Sequence, residues 1–147
     1  MAGFRTFAPS VQDALAVEIA KQIEDKTPCD VGYPARGLRP KHIWISATFD
    51  ARLPRRISGG KQRDEETDIY VRCVAKVTGT SYAAARDAAA TLAGYVEDAV
   101  TADPTLGGVV KEAHISAVEG QEAIPEKTAR EVGFSVTVSY QATATAT

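Results

Sequence analysis

Four side chains in this 147-residue sequence are natural metal ligands or nucleophiles: Cys29, His42, Cys73 and His114. Zinc sites usually announce themselves by at least one close ligand pair, because two donors must reach one ion from a short loop or a single helix face. None of the four falls in a CxxC, HxH or HExxH spacing. Structural or surface roles are therefore expected for both histidines, and neither stands beside an obvious nucleophile. Cys73 lies within an alternating apolar run and reads as a small buried hydrophobe. With Cys29 far away in sequence and a reducing compartment expected, two free thiols are the reading.

Carboxylates Asp64, Glu65, Glu66 and Asp68 are clustered. Acid–base work or cation binding would need a pocket that holds them together. They follow a basic run and precede a strand, so a solvated charge cluster is expected. The pairs Gly59-Gly60 and Gly107-Gly108 do not make a phosphate loop, which ends Gly-Lys-Ser/Thr and opens a helix. Gly59-Gly60-Lys61-Gln62 lacks the hydroxyl, and a strand follows it. No catalytic residue, metal or cofactor is expected, and an enzyme is disfavoured.

One segment stands out. Arg52, Arg55, Arg56, Lys61 and Arg63 place five cations around Gly59-Gly60, before the acidic cluster begins. The loop over residues 50–66 is longer than a hairpin needs, and loops beyond about a dozen residues are usually functional or disordered. A solvated loop and an arm that orders against a neighbour or a polyanion weigh equally. These five cations are the candidate assembly-interface residues.

The chain that must position them has the size of one domain, large enough to bury a core without disulfides or metal. Its 17 basic and 19 acidic residues leave a formal net charge of -2, which is not the footprint of a nucleic-acid binder. Residues 1–7 carry one arginine and no continuous apolar run, so neither a signal peptide nor a membrane span is expected, and synthesis in a cytoplasm is.

Val11, Leu15, Ile19 and Ile23 recur every four residues, and Ser10 with Asp13 resembles a capping arrangement, which predicts a helix over 10–25. Pro28, Gly32, Pro34, Gly37 and Pro40 then read as a continuous loop. Residues 42–49 read as a strand covered on both faces, and Ile69, Val71, Cys73, Ala75 and Val77 alternate as a second strand. From Tyr82, apolar residues at Ala85, Ala89, Leu92, Val96 and Val100 predict a small-residue helix that Asp103-Pro104 stops. Residues 109–119 form a third predicted strand. The fourth is the clearest, with Val132, Phe134, Val136, Val138 and Tyr140 on one parity. The Ala-Thr run over 142–147 reads most simply as a disordered tail, with prolongation of the strand in an assembly as the alternative. The order α-β-β-α-β-β predicts an α+β domain over 1–141, with a mainly antiparallel four-stranded sheet and two helices packed on it.

The stretch from Arg86, with Leu92, Tyr95, Val96 and Asp103-Pro104-Thr105-Leu106-Gly107-Gly108-Val109-Val110, then Phe134-Ser135-Val136-Thr137-Val138-Ser139-Tyr140-Gln141-Ala142, resembles the C-terminal half of tail terminator (tail completion, minor tail) proteins of long-tailed bacteriophages. The N-terminal helix and the Ile43-Trp44-Ile45 strand fit the same element order. The resemblance implies a virion subunit at the head-proximal end of the tail, assembled in the host cytoplasm. It implies a hexameric ring of copies of itself, with the major tail tube protein and a head–tail connector or stopper protein as partners, and non-specific contact with passing DNA left open. It implies no membrane partner and no catalytic residues; only residues 103–108 transfer position by position, as a helix stop and turn. The alternatives are another neck component, such as a head-closure or stopper protein, and a cytosolic small-ligand-binding α+β module.

Overall fold

The structure, a computed structural model, describes residues 7–37, 39–52, 62–79, 81–122 and 129–145. Helix α1 spans Ala8–Gln22 and buries Val11, Leu15 and Ile19 completely. It starts before Ser10 because Pro9 fits the first turn, where a missing N–H costs no hydrogen bond. Ser10 does not cap it. The Phe7 N–H at the N-cap instead donates to Glu65 Oε2 at 3.2 Å, placing a carboxylate at the positive end of the helix.

The breaker-rich stretch expected to be all loop contains a short strand, β1 (Cys29–Val31). It runs parallel to β2 (Lys41–Arg52), with Cys29 opposite Ile43 and Val31 opposite Ile45. Ile43 N–H donates to the Pro28 carbonyl at 3.0 Å and Gly32 N–H to the Ile45 carbonyl at 2.7 Å, so the backbone needs of this stretch are met across the sheet. Strand β3 (Gln62–Thr78), helix α2 (Tyr82–Ala102), β4 (Glu112–Glu122) and β5 (Ala129–Thr145) complete the order. The sheet is five-stranded and mixed, in the order β1-β2-β3-β5-β4, with every pairing antiparallel except β1 with β2. The four-stranded expectation lacked β1, which three residues of sequence do not signal.

Ser81 caps α2 by accepting the Ala84 N–H at 3.2 Å, and the helix turns Ala85, Ala89, Leu92, Val96 and Ala99 fully inward. At its far end the Asp103 carboxylate accepts the N–H groups of Thr105 and Gly107 at 3.1 and 2.8 Å. The chain then passes through positive φ at Leu106, Gly107 and Gly108, which explains the glycine pair. Both helices pack on one sheet face, against Ile43, Ile45, Ile69, Val71, Cys73, Val136, Val138 and Tyr140.

Strands β3 and β5 pair over their whole length, from Gln62 opposite Thr145 to Thr78 opposite Ala129. The Ala-Thr run is therefore strand through Thr145, with Ala142 buried, and not a disordered tail over those residues; residues 146–147 lie outside the described residues. The 50–66 loop is also shorter than expected, since the β2/β3 ladder extends to Arg52 opposite Glu66. No helix among the described residues is long and apolar enough to cross a membrane.

Candidate assembly surface

The sheet face away from the helices carries the polar parity of β2, β3, β4 and β5. Asp50 and Asp68 stand directly opposite each other in the β2/β3 register, a repulsive pair if left alone. Two neighbours relieve it. Arg52 grips Asp68 with Nη1 at 2.9 Å and Nη2 at 3.2 Å, and the Tyr70 hydroxyl donates to Asp50. Ser139 on β5 donates its hydroxyl to Asp68 at 2.6 Å. Ser139 and Ser116 lie 2.7 Å apart, and since one hydroxyl carries one proton, Ser116 donates to Ser139.

This network floors a groove of about 290 Å³ bordered by Arg52, Glu66, His114 and Gln141. The Arg52 guanidinium, and secondarily the Ser139 hydroxyl, hold the Asp68 carboxyl below its usual range against the opposing effect of burial. Hydrogen bonding to Asp50 pushes the Tyr70 phenol up. Asp68 in turn fixes the orientation of the Ser139 hydroxyl. The groove is thus floored by paired polar groups drawn from β2, β3, β4 and β5.

On the opposite face lies Glu65, which is fully buried. Its Oε1 accepts the Thr67 hydroxyl at 2.8 Å and the Tyr140 hydroxyl at 3.2 Å, while Oε2 takes the Phe7 N–H. Burial pushes the Tyr140 phenol up, as the Glu65 carboxylate also does. One side chain thus ties β3, β5 and the start of α1 together. Two members of the acidic cluster are accordingly not solvated: Glu65 is enclosed and the Asp68 side chain is only 20% exposed. Sequence reasoning missed both. The signal for Glu65 was its parity, shared with Thr67, Ile69 and Val71.

Of the five candidate interface cations, Arg52 lies in β2 and is engaged by Asp68, so it is not part of an unpartnered loop. Arg63 has its backbone in β3 opposite Ala144, while its side chain, and all of Arg55, Arg56 and Lys61, lie outside the described residues. The position of those four side chains relative to Arg52 therefore lies outside the described residues.

Cys29 and Cys73 both register against Ile43 from its two sides, so they sit two strands apart, roughly 9.5 Å by the usual strand spacing, and cannot bridge as placed. Burial pushes each thiol up to about 12. His42 is 3% exposed; its Nδ1 accepts the Arg39 N–H at 3.1 Å, so Nε2 carries the proton and donates to Asp30 at 2.6 Å. This bond fastens β1 to β2. His114 is exposed on β4, beside Asp68. Among the described residues no group of three or more His, Cys, Asp or Glu is placed to hold a metal ion.

No family model matches the chain, and no curated protein matches it. Among solved structures it is similar to a chain of "Virion of native gene transfer agent (GTA) particle", at 10% identity and a TM-score of 0.46, over 90% of this chain and 98% of that one.

Proposed function

We propose that the chain is a non-catalytic virion subunit of the tail terminator class, forming a ring that caps the tail tube, ends its polymerisation and joins it to the head connector. The observation that carries this reading is the β3/β5 ladder. Its 17 paired residues span roughly 55 Å at about 3.4 Å each. The 21-residue α2 that covers it spans only about 30 Å. The ladder outruns the helix, and at one end the β2/β3 hairpin leads into the segment bearing Arg55, Arg56 and Lys61. A stiff ladder that hands the chain into a cation-rich segment suits contact with a neighbouring subunit, a tube protein or passing DNA. The resemblance of residues 86–142 supplies the tail-terminator assignment.

The test is to add the purified protein to polymerising tube protein encoded in the same gene cluster, and to follow tube length by electron microscopy and stoichiometry by native mass spectrometry. Short tubes ending in a six-copy ring are expected. Serine at Arg55, Arg56, Lys61 and Arg63 should leave the melt of the subunit unchanged and reduce capping at low salt, the deficit relative to wild type narrowing as salt screens the wild-type charges. Tubes that elongate as if the protein were absent would sink the reading; binding to the connector without any effect on tube growth would assign a head-closure or stopper role instead.

A further inference from the structure

The two open edges of the sheet are complementary to each other. At the β4 edge, strand Glu112–Glu122 has no strand partner on its outer side among the described residues. Beside it, Ala93 and Gly94 of α2 leave a groove of about 220 Å³ against Ile115, Val118 and Phe134, rimmed by Glu97. Val118 is 57% exposed there. At the other edge, β1 and its flanking helix expose Val17, Val31 and Tyr33, three of the five large apolar side chains exposed among the described residues. Tyr33 stands edge-on to Trp44 at 5.6 Å, which gives the protruding ring a fixed base.

Charge divides the same way. Around β1, residues 24–41 carry the exposed cations Lys26, Arg36, Arg39 and Lys41 against Glu24, Asp25 and Asp30, and Lys26, Arg39 and Lys41 converge with Lys76 around Asp25 at the corner of the sheet where β1 begins. Residues 111–121 at the β4 edge carry Glu112 and Glu119 against Lys111, with Glu97 adjacent. An edge with a positive corner and apolar protrusions and a negative edge with an apolar groove lie at opposite ends of one sheet. Strand directions also fit: β1 and β4 point oppositely within the chain, so repeating the sheet head to tail sets β1 of one copy antiparallel to β4 of the next.

We propose that the occupant of the α2/β4 groove is the α1/β1 edge of a second copy of this chain. The contact is heterologous, so it generates a closed ring or an open row and not a two-fold dimer. It deepens the proposed function and rests on that reading only for the number of copies; the contact itself is tested on the isolated protein.

Two charge-reversed variants make the test, read by native mass spectrometry and sedimentation: one with Glu97→Lys and Glu119→Lys, the other with Arg39→Glu and Lys41→Glu. All four positions are exposed, so both variants should fold with wild-type circular dichroism. Each alone should associate at least tenfold more weakly than wild type, because like charges meet at every junction. Mixed in equal amounts, they should recover association, since an alternating row pairs opposite charges throughout. Val118→Arg should abolish assembly in either background. The contact is overturned if each variant alone assembles like wild type, or if mixing restores nothing. It is overturned equally if only the Glu→Lys variant is impaired, which would indicate a two-fold β4–β4 pairing. Open rows, or rings of another size, that obey the mixing rule support this contact while refuting a six-fold cap. A six-copy ring indifferent to all these changes refutes the contact and spares the cap.

Discussion

The Tyr140 hydroxyl and the Glu65 carboxylate meet at 3.2 Å across 75 residues of sequence, inside the face of the sheet that the helices cover. The same carboxylate receives the Phe7 N–H at the head of α1, so one buried acid couples the long β3/β5 ladder to the first helix.

Removing a donor from that node should be felt globally. Tyr140→Phe leaves Glu65 short of one partner in a dry site, with an expected loss of about 1–3 kcal/mol. Glu65→Ala removes the acceptor for Thr67, Tyr140 and Phe7 at once and opens a cavity, so a larger loss is expected. Urea unfolding of both single variants and the double variant gives the coupling directly. Additive losses would mean that the pair does not act as a unit.

Strand register gives a sharper contrast. Val136 is 1% exposed on the helix face, and Val136→Asp should unfold the domain, since an unpaired buried carboxylate costs several kcal/mol. Its neighbour Thr137 faces Tyr70 on the polar side, and Thr137→Asp should fold. Circular dichroism melts of the two variants read the parity of β5; equal melts would place the register off by one.

The Arg52–Asp68 pair makes an acid-sensitive contribution. Because the folded-state pKa of Asp68 lies below its unfolded value, the stability it adds is fully present above the unfolded value of about 3.9 and is lost as pH falls through the folded one. Arg52→Ala removes the contribution at every pH. The gap in melting temperature between wild type and this variant should therefore be constant near neutrality and close toward pH 2. A gap that persists unchanged in acid would show that Arg52 acts by packing alone.

The thiols should be quiet. With Cys29 and Cys73 both pushed up to about 12, alkylation by iodoacetamide at pH 8 should be slow in the folded protein and rapid only in denaturant. Mild oxidant should produce no intramolecular disulfide, because Ile43 of β2 stands between them. Rapid labelling of Cys73 in the native state, measured by mass, would mean that β3 opens readily.

What the sequence alone determined were the elements whose periodicity is local. The stripe Ala85, Ala89, Leu92 and Val96 is a helix wherever it packs, and the alternation from Val132 to Tyr140 is a strand with one core face, because side-chain direction follows backbone geometry within a few residues. Tertiary structure alone decided the rest. Three residues, Cys29–Val31, are a strand only because β2 offers its edge to them. The Ala-Thr run beyond Gln141 is ordered through Thr145 only because β3 lies alongside it, roughly eighty residues away in sequence. Glu65 became a buried keystone, and not a surface charge, because the head of α1 and the Tyr140 hydroxyl converge on it. In each case the deciding hydrogen-bond partner is remote in the chain, and no pattern confined to neighbouring residues encodes it.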